Sequence, residues 1–199
     1  MKINLKKLIL SFLLVPCALF AKNGGQVEDQ PQVLEKAMSL DAFGALKEKR
    51  NGYLYLDLPN EYISELLPLI NCPGQMIPPP HFESKQGIGA HISVIDTDER
   101  IKHDIWEIDE IGQTFNFEIK EVRSTKIKWR KITKKIWVLT FNSPQLEELR
   151  ESYGLSSTPK GYDFYLLIGQ QIPSTQNDEV EEDYDEQWFV EETHLGNRP

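Results

Sequence analysis

A chain of 199 residues with 40% hydrophobic and 27% charged side chains suits one soluble globular domain with a substantial core. Its net charge of −9 excludes non-specific binding to nucleic acid through bulk charge. Residues 178–192 hold nine acidic side chains and no basic one, so the acidity belongs to the tail and the remainder is near neutral.

The first 21 residues read as an export signal. Lys2, Lys6 and Lys7 form a positive start, Leu8 to Val15 an apolar stretch, and Ala18 to Ala21 a cleavage region before Lys22. The apolar stretch is too short to cross a bilayer comfortably, so no membrane span is expected after cleavage. The alternatives are an uncleaved anchor, a buried helix, or a lipoprotein attached through Cys17, where Pro16 fits poorly. Export implies a periplasmic or secreted protein. Cleavage leaves Cys72 as the only thiol and forbids an intramolecular disulfide. His81, His91, His103 and His194 show no metal-ligand spacing, so neither a metal nor another cofactor is expected.

Residues 22–49 read as a polar linker followed by a short helix, Leu34 to Lys49. A domain over 50–172 follows. GYLYLDL (52–58) alternates as a strand, with Tyr53, Tyr55 and Asp57 on one face. Pro59 opens a helix whose core face is Ile63, Leu66, Leu67 and Ile70. NCPGQMIPPPHF is a Pro-rich loop, and Ile88 to Ile95 is a strand. Asp98 to Asp104 suggests a helical turn. Strands are expected at 115–122, 126–129 and 135–141. Ser143-Pro144 starts a helix that Gly154 ends, and GYDFYLLIG (161–169) is the last strand. Residues 173–199 have the composition of a disordered acidic tail. The order of elements predicts an α+β fold, with helices on the outer side of a mixed or antiparallel sheet.

Within IGAHISVIDT (88–97), His91 and Ser93 sit two apart and share a strand face. An imidazole moves protons near neutral pH and a hydroxyl donates a hydrogen bond, so the pair suits a phosphate. A histidine in a strand is also a common structural residue, and the pair alone does not decide between the two.

GAHISVI, WVLTFNSPQLEELRESYGL and GYDFYLLIG together resemble the 2H phosphoesterase superfamily, which includes the RNA ligase-like cyclic phosphodiesterases, over about residues 50–170. The resemblance implies duplicated strand–helix–strand lobes with a His-x-Thr/Ser motif on each of two adjacent central strands. Two histidines then act as general acid and base on a phosphodiester, often a 2′,3′-cyclic phosphate or an RNA end, and two hydroxyls hold the phosphate. The first motif falls on His91 and Ser93. The second is degenerate, with Tyr165 in the histidine place and Leu167 in the hydroxyl place. Tyrosine, with an ordinary pKa of about 10, is a poor base at neutrality, and leucine gives phosphate no hydrogen bond.

Further ligand-binding candidates are His81, which follows three prolines and could lean over the sheet, and Lys128, Trp129 and Arg130. The last three lie in KEVRSTKIKWRKITKK (120–135), which has eight basic residues. That run reads either as an anion cradle with Trp129 for stacking, as a solvated hairpin, or as a dock for the acidic tail.

Three functions follow. One is a diverged phosphoesterase-like binder of a phosphorylated small molecule, nucleotide or RNA end, monomeric, with weak or no turnover. Another is an active 2′,3′-cyclic phosphodiesterase, a hydrolase, using His91 and an unrecognised second base. The third is an exported interaction protein that retains only the scaffold.

Overall fold

Strand alternation buries one side of each of two antiparallel sheets against a common core. The structure, a computed structural model, describes residues 25–172 apart from Gln86, Arg130 and Lys131, and leaves out the side chains of Glu83, Lys128, Trp129 and Ile132. The expected export signal (1–21) and acidic tail (173–199) lie outside the described residues.

The first half of the chain forms β1 (Gln26–Glu28), α1 (Pro31–Met38), β2 (Phe43–Glu48), β3 (Leu54–Asp57), α2 (Glu61–Ser64) and β4 (Gln75–Ile77). It continues through α3 (Pro80–Glu83), β5 (His91–Ile95) and α4 (Thr97–Lys102). The second half forms β6 (Thr114–Asn116), β7 (Glu118–Trp129), β8 (Ile132–Asn142), α5 (Pro144–Ser152) and β9 (Phe164–Ile172). Five strands pair in the order β1-β7-β8-β9-β4 and four in the order β5-β3-β2-β6. Every pairing is antiparallel. The α+β class is as the sequence predicts.

The core joins both sheets. Leu54, Leu56, Ala90, Ile92 and Val94 of one meet Trp137, Leu139, Phe141, Phe164, Leu166 and Ile168 of the other. Helices complete it with Val33 and Ala37 of α1, Tyr62 and Ile63 of α2, and Leu146 and Leu149 of α5. Each helix is too short to be stable alone, so apolar burial holds it in place. Ser143 caps α5 as expected, its hydroxyl accepting from the Leu146 N–H, with Pro144 in the first turn.

Residues 22–49 differ from the reading as linker and helix. Residues 26–28 form edge strand β1, paired with β7 through Val27 and Arg123. The helix covers Pro31–Met38, and Phe43–Glu48 is β2, which lies between β3 and β6. The domain therefore begins before residue 50. FGALKE has no strong strand propensity; its hydrogen-bonding neighbours on both sides decide its conformation. The separately expected strand at 126–129 is the distal part of one long β7.

Candidate functional site

Because Ala90, Ile92 and Val94 enter the core, His91 and Ser93 project from the opposite face of β5. On β9, Phe164, Leu166 and Ile168 enter the same core, and Tyr165 and Leu167 turn away from it. Cα atoms of β5 and β9 come within 8 Å. The structure thus sets β5 and β9 close together, with both i, i+2 pairs turned from the core that α1, α2 and α5 complete.

His91 is held at three points. Its Nδ1 lies 2.9 Å from the Gly89 carbonyl. A carbonyl only accepts, so the neutral ring keeps its proton on Nδ1 and its basic lone pair on Nε2. Gly89 has φ +72, and a Cβ there would run into Asn60 Oδ1, which accepts from the Ala90 N–H at 3.1 Å. Glycine is therefore required at the turn that orients the imidazole. The rings of Tyr53 and Tyr55 meet His91 edge-on, with centroids 6.1 and 5.8 Å away. Only 5% of His91 is exposed.

The other members of this face come from β3 and β2. Asp57 is directly opposite His91, and Tyr55 opposite Ser93. The Tyr53 hydroxyl shares a short hydrogen bond with Ser93 Oγ. Burial, then the Asp57 charge, pushes the Tyr55 hydroxyl up, with Lys47 acting the other way, so Tyr55 remains a neutral donor. Lys47 Nζ bonds Asp57 Oδ2 at 2.6 Å, and Lys49 Nζ stands 5.9 Å from the centre of the Tyr53 ring. The face thus combines hydroxyls, imidazole and ammonium groups, a set that can hold an oxyanion and move protons beside it.

His81 completes the group. It belongs to α3, in the segment that leaves β4 beside β9 and arrives at β5. Its ring packs on His91 at 4.6 Å between centroids, with an interplanar angle of 71°. His81 follows the three prolines Pro78, Pro79 and Pro80, and this contact sets it beside His91.

The second motif position has a different character. Leu167 is buried with Ile136 and Val138, and Ile127 and Tyr165 pack on that cluster. The side chain at 167 is apolar and offers no hydrogen-bond donor. Lys128 and Trp129 end β7 at the far end of the β7–β8 hairpin. Their side chains, and all of Arg130, lie outside the described residues. Three of the eight basic residues of the run have acidic partners in the structure: Lys120 with Asp163, Arg123 with Glu121, and Lys135 with Glu28. His103 is exposed at the end of α4, in a depression with Asp96 and Lys160 at the C-terminal end of β5. Among the described residues, no three His, Cys, Asp or Glu are grouped to hold a metal ion. No described helix is long and apolar enough to cross a membrane.

Sequence reasoning missed Lys47, Lys49 and the role of the two tyrosines. Alternation in GYLYLDL already put Tyr53, Tyr55 and Asp57 on one face; what it could not supply was the pairing of β3 with β5.

A family model described as Swiss Army Knife, 2H phosphoesterase domain, matches residues 54–172. No curated protein and no solved structure matches the chain.

Proposed function

The chain belongs to the 2H phosphoesterase family, and we propose from that premise that it binds a phosphodiester, nucleotide or RNA end on the His91 face, with weak turnover at most. The observation that carries this reading is the asymmetry of the two motif strands. β5 offers His91 and Ser93 among Tyr53, Tyr55, Lys47 and Lys49, whereas β9 offers Tyr165 and an apolar, buried Leu167.

One half of a two-motif site can hold a phosphate without driving its hydrolysis well. Loss of one acid or base group typically costs about 10²–10⁴-fold in rate. Ser93 or its partner Tyr53 donates to a phosphate oxygen, and His91 donates as imidazolium or accepts as imidazole at Nε2. Lys128 and Trp129, which end β7, and Arg130 are the proposed contact for the remainder of a nucleotide or RNA end.

The reading extends to location and assembly. Lys2, Lys6, Lys7 and the apolar Leu8–Val15 support export with cleavage after Ala21. The domain works as a monomer, in the periplasm or secreted.

The test is a thermal-shift titration of the protein with 2′,3′-cyclic nucleotides, nucleoside 3′-phosphates and short RNA. A bound ligand raises the melting temperature by mass action. A dose-dependent rise that Ser93→Ala reduces supports the reading. Equal, small responses from wild type and Ser93→Ala to every ligand would defeat it.

A further inference from the structure

We infer that His81 is the second acid–base group of this site, supplied by the proline-rich segment in place of the degenerate motif on β9. The inference rests on the phosphodiester-binding reading and adds a proton partner to it.

Topology places His81 where such a group is needed. β4 pairs with the edge of β9, Ile77 opposite Gln170, and the chain then runs through Pro78, Pro79 and Pro80 into α3 before entering β5. The connection between the two motif strands' sheets therefore passes over the junction of β9 and β5. Three consecutive prolines fix φ along the approach and limit where it can go. Pro80 starts α3, so His81 lies in its first turn.

A second contact holds the backbone there. A Cβ on Gly87 would collide with the His81 carbonyl oxygen, and the Gly87 N–H donates to Ser84 O at 2.9 Å. The chain folds back on His81 so closely that only glycine fits. From this backbone the His81 ring meets that of His91, with centroids 4.6 Å apart.

Proton chemistry assigns the roles. With Nδ1 engaged by Gly89, neutral His91 presents Nε2 as the base. It takes a proton from water while the water oxygen bonds to phosphorus. One phosphorus–oxygen bond of the cyclic diester breaks, and His81, as imidazolium, gives its proton to the leaving ribose oxygen. Water has then been added across that bond, the product is a phosphomonoester, and the two imidazoles exchange protons with solvent to reset. A phosphate parts the two rings by rotation of the His81 side chain, since His91 is fixed on its strand. Other titratable or charged groups on this face are Tyr53 just before β3, Tyr55 and Asp57 from β3, Lys47 from β2 with Lys49 just beyond it, and Tyr165 on neighbouring β9.

The experiment uses the full chain with 2′,3′-cyclic AMP, reading product release between pH 5 and 9 and the ligand-induced melting shift in parallel. Wild type should turn over slowly. His81→Ala and His91→Ala should each lower kcat by about 10²-fold or more. Loss of His81 should remove the alkaline limb of the pH profile, because its imidazolium is the acid. Added imidazole should restore part of the activity of His81→Ala. His81→Gln, compared at wild-type melting temperature, separates loss of the proton group from loss of fold. A melting shift without turnover at any pH would overturn the inference and leave binding intact. Absence of both would remove the binding reading as well. Turnover by His81→Ala at or above the wild-type rate would also overturn the inference, making His81 a cover over His91.

Discussion

The hydroxyls of Tyr53 and Ser93 hydrogen-bond to one another between β3 and β5. Either oxygen can be the donor in this bond. Ser93 shares the strand face of His91, so Tyr53→Phe should weaken nucleotide binding by less than about tenfold. Ser93→Ala removes the nearer hydroxyl on β5 and should weaken it by roughly tenfold or more, the scale of a charge-assisted hydrogen bond. Titration calorimetry on both variants checks the order.

Gly87→Ala probes the backbone behind His81. Its Cβ must displace the His81 carbonyl, so the ring should leave His91 while the distant core is unaffected. The expected outcome is a changed histidine ring environment in NMR spectra and a lowered melting temperature, because the Cβ meets backbone and not a flexible side chain. Unchanged imidazole signals would show that the turn adapts elsewhere.

Tyr165→His with Leu167→Thr rebuilds a second His-x-Thr pair beside β5. A modest gain in phosphodiesterase activity is expected, and it should vanish when His91→Ala is added. The gain is limited because Leu167 packs with Ile136 and Val138, which offer a threonine hydroxyl no polar support. The same packing predicts a stability loss of about 1–3 kcal/mol, measured by denaturant titration.

Arg150 is fully buried and bridges three parts of the fold. It forms a salt bridge with Glu99 at 2.7 Å and donates to the Val94 and Ser156 carbonyls. The β3–β5 register skips Val94, so this carbonyl finds its partner in the guanidinium. Glu99 also completes the capping box of α4 with Asp96. Arg150→Met should cost about 3–5 kcal/mol, because it strands a carboxylate and buried carbonyls. Chemical denaturation measures it.

Tyr62 makes stability depend on alkaline pH. Burial, then the Asp41 charge, pushes its hydroxyl up to about 12, against an ordinary value of 10.0. The unfolded chain therefore ionises this group first as pH rises. Its stabilising contribution is complete below about 10 and is lost as pH passes through about 12. Tyr62→Phe should flatten the loss of melting temperature over that range. It also removes the 3.1 Å hydrogen bond to the Asp41 carbonyl, at a cost near 1 kcal/mol at neutral pH.

Strand periodicity alone determined which residues of 52–58 and 88–95 share a face, because side chains alternate whatever the partner strand is. Capping chemistry marked Ser143-Pro144 as a helix start, and the family resemblance, not periodicity, pointed to Tyr165 and Leu167 as the second motif position. The sequence could not place residues 26–48, since β1 depends on hydrogen bonds to β7, and β2 on bonds to neighbouring β3 and to β6 far along the chain. Nor could it assemble the face around His91. Tyr53, Asp57 and Lys47 reach it through cross-strand register, and His81 through the path of a loop between two sheets. Local preference acts over a few residues; the contact between His81 and His91 depends on where β4, β9 and β5 lie together, and only the folded core decides that.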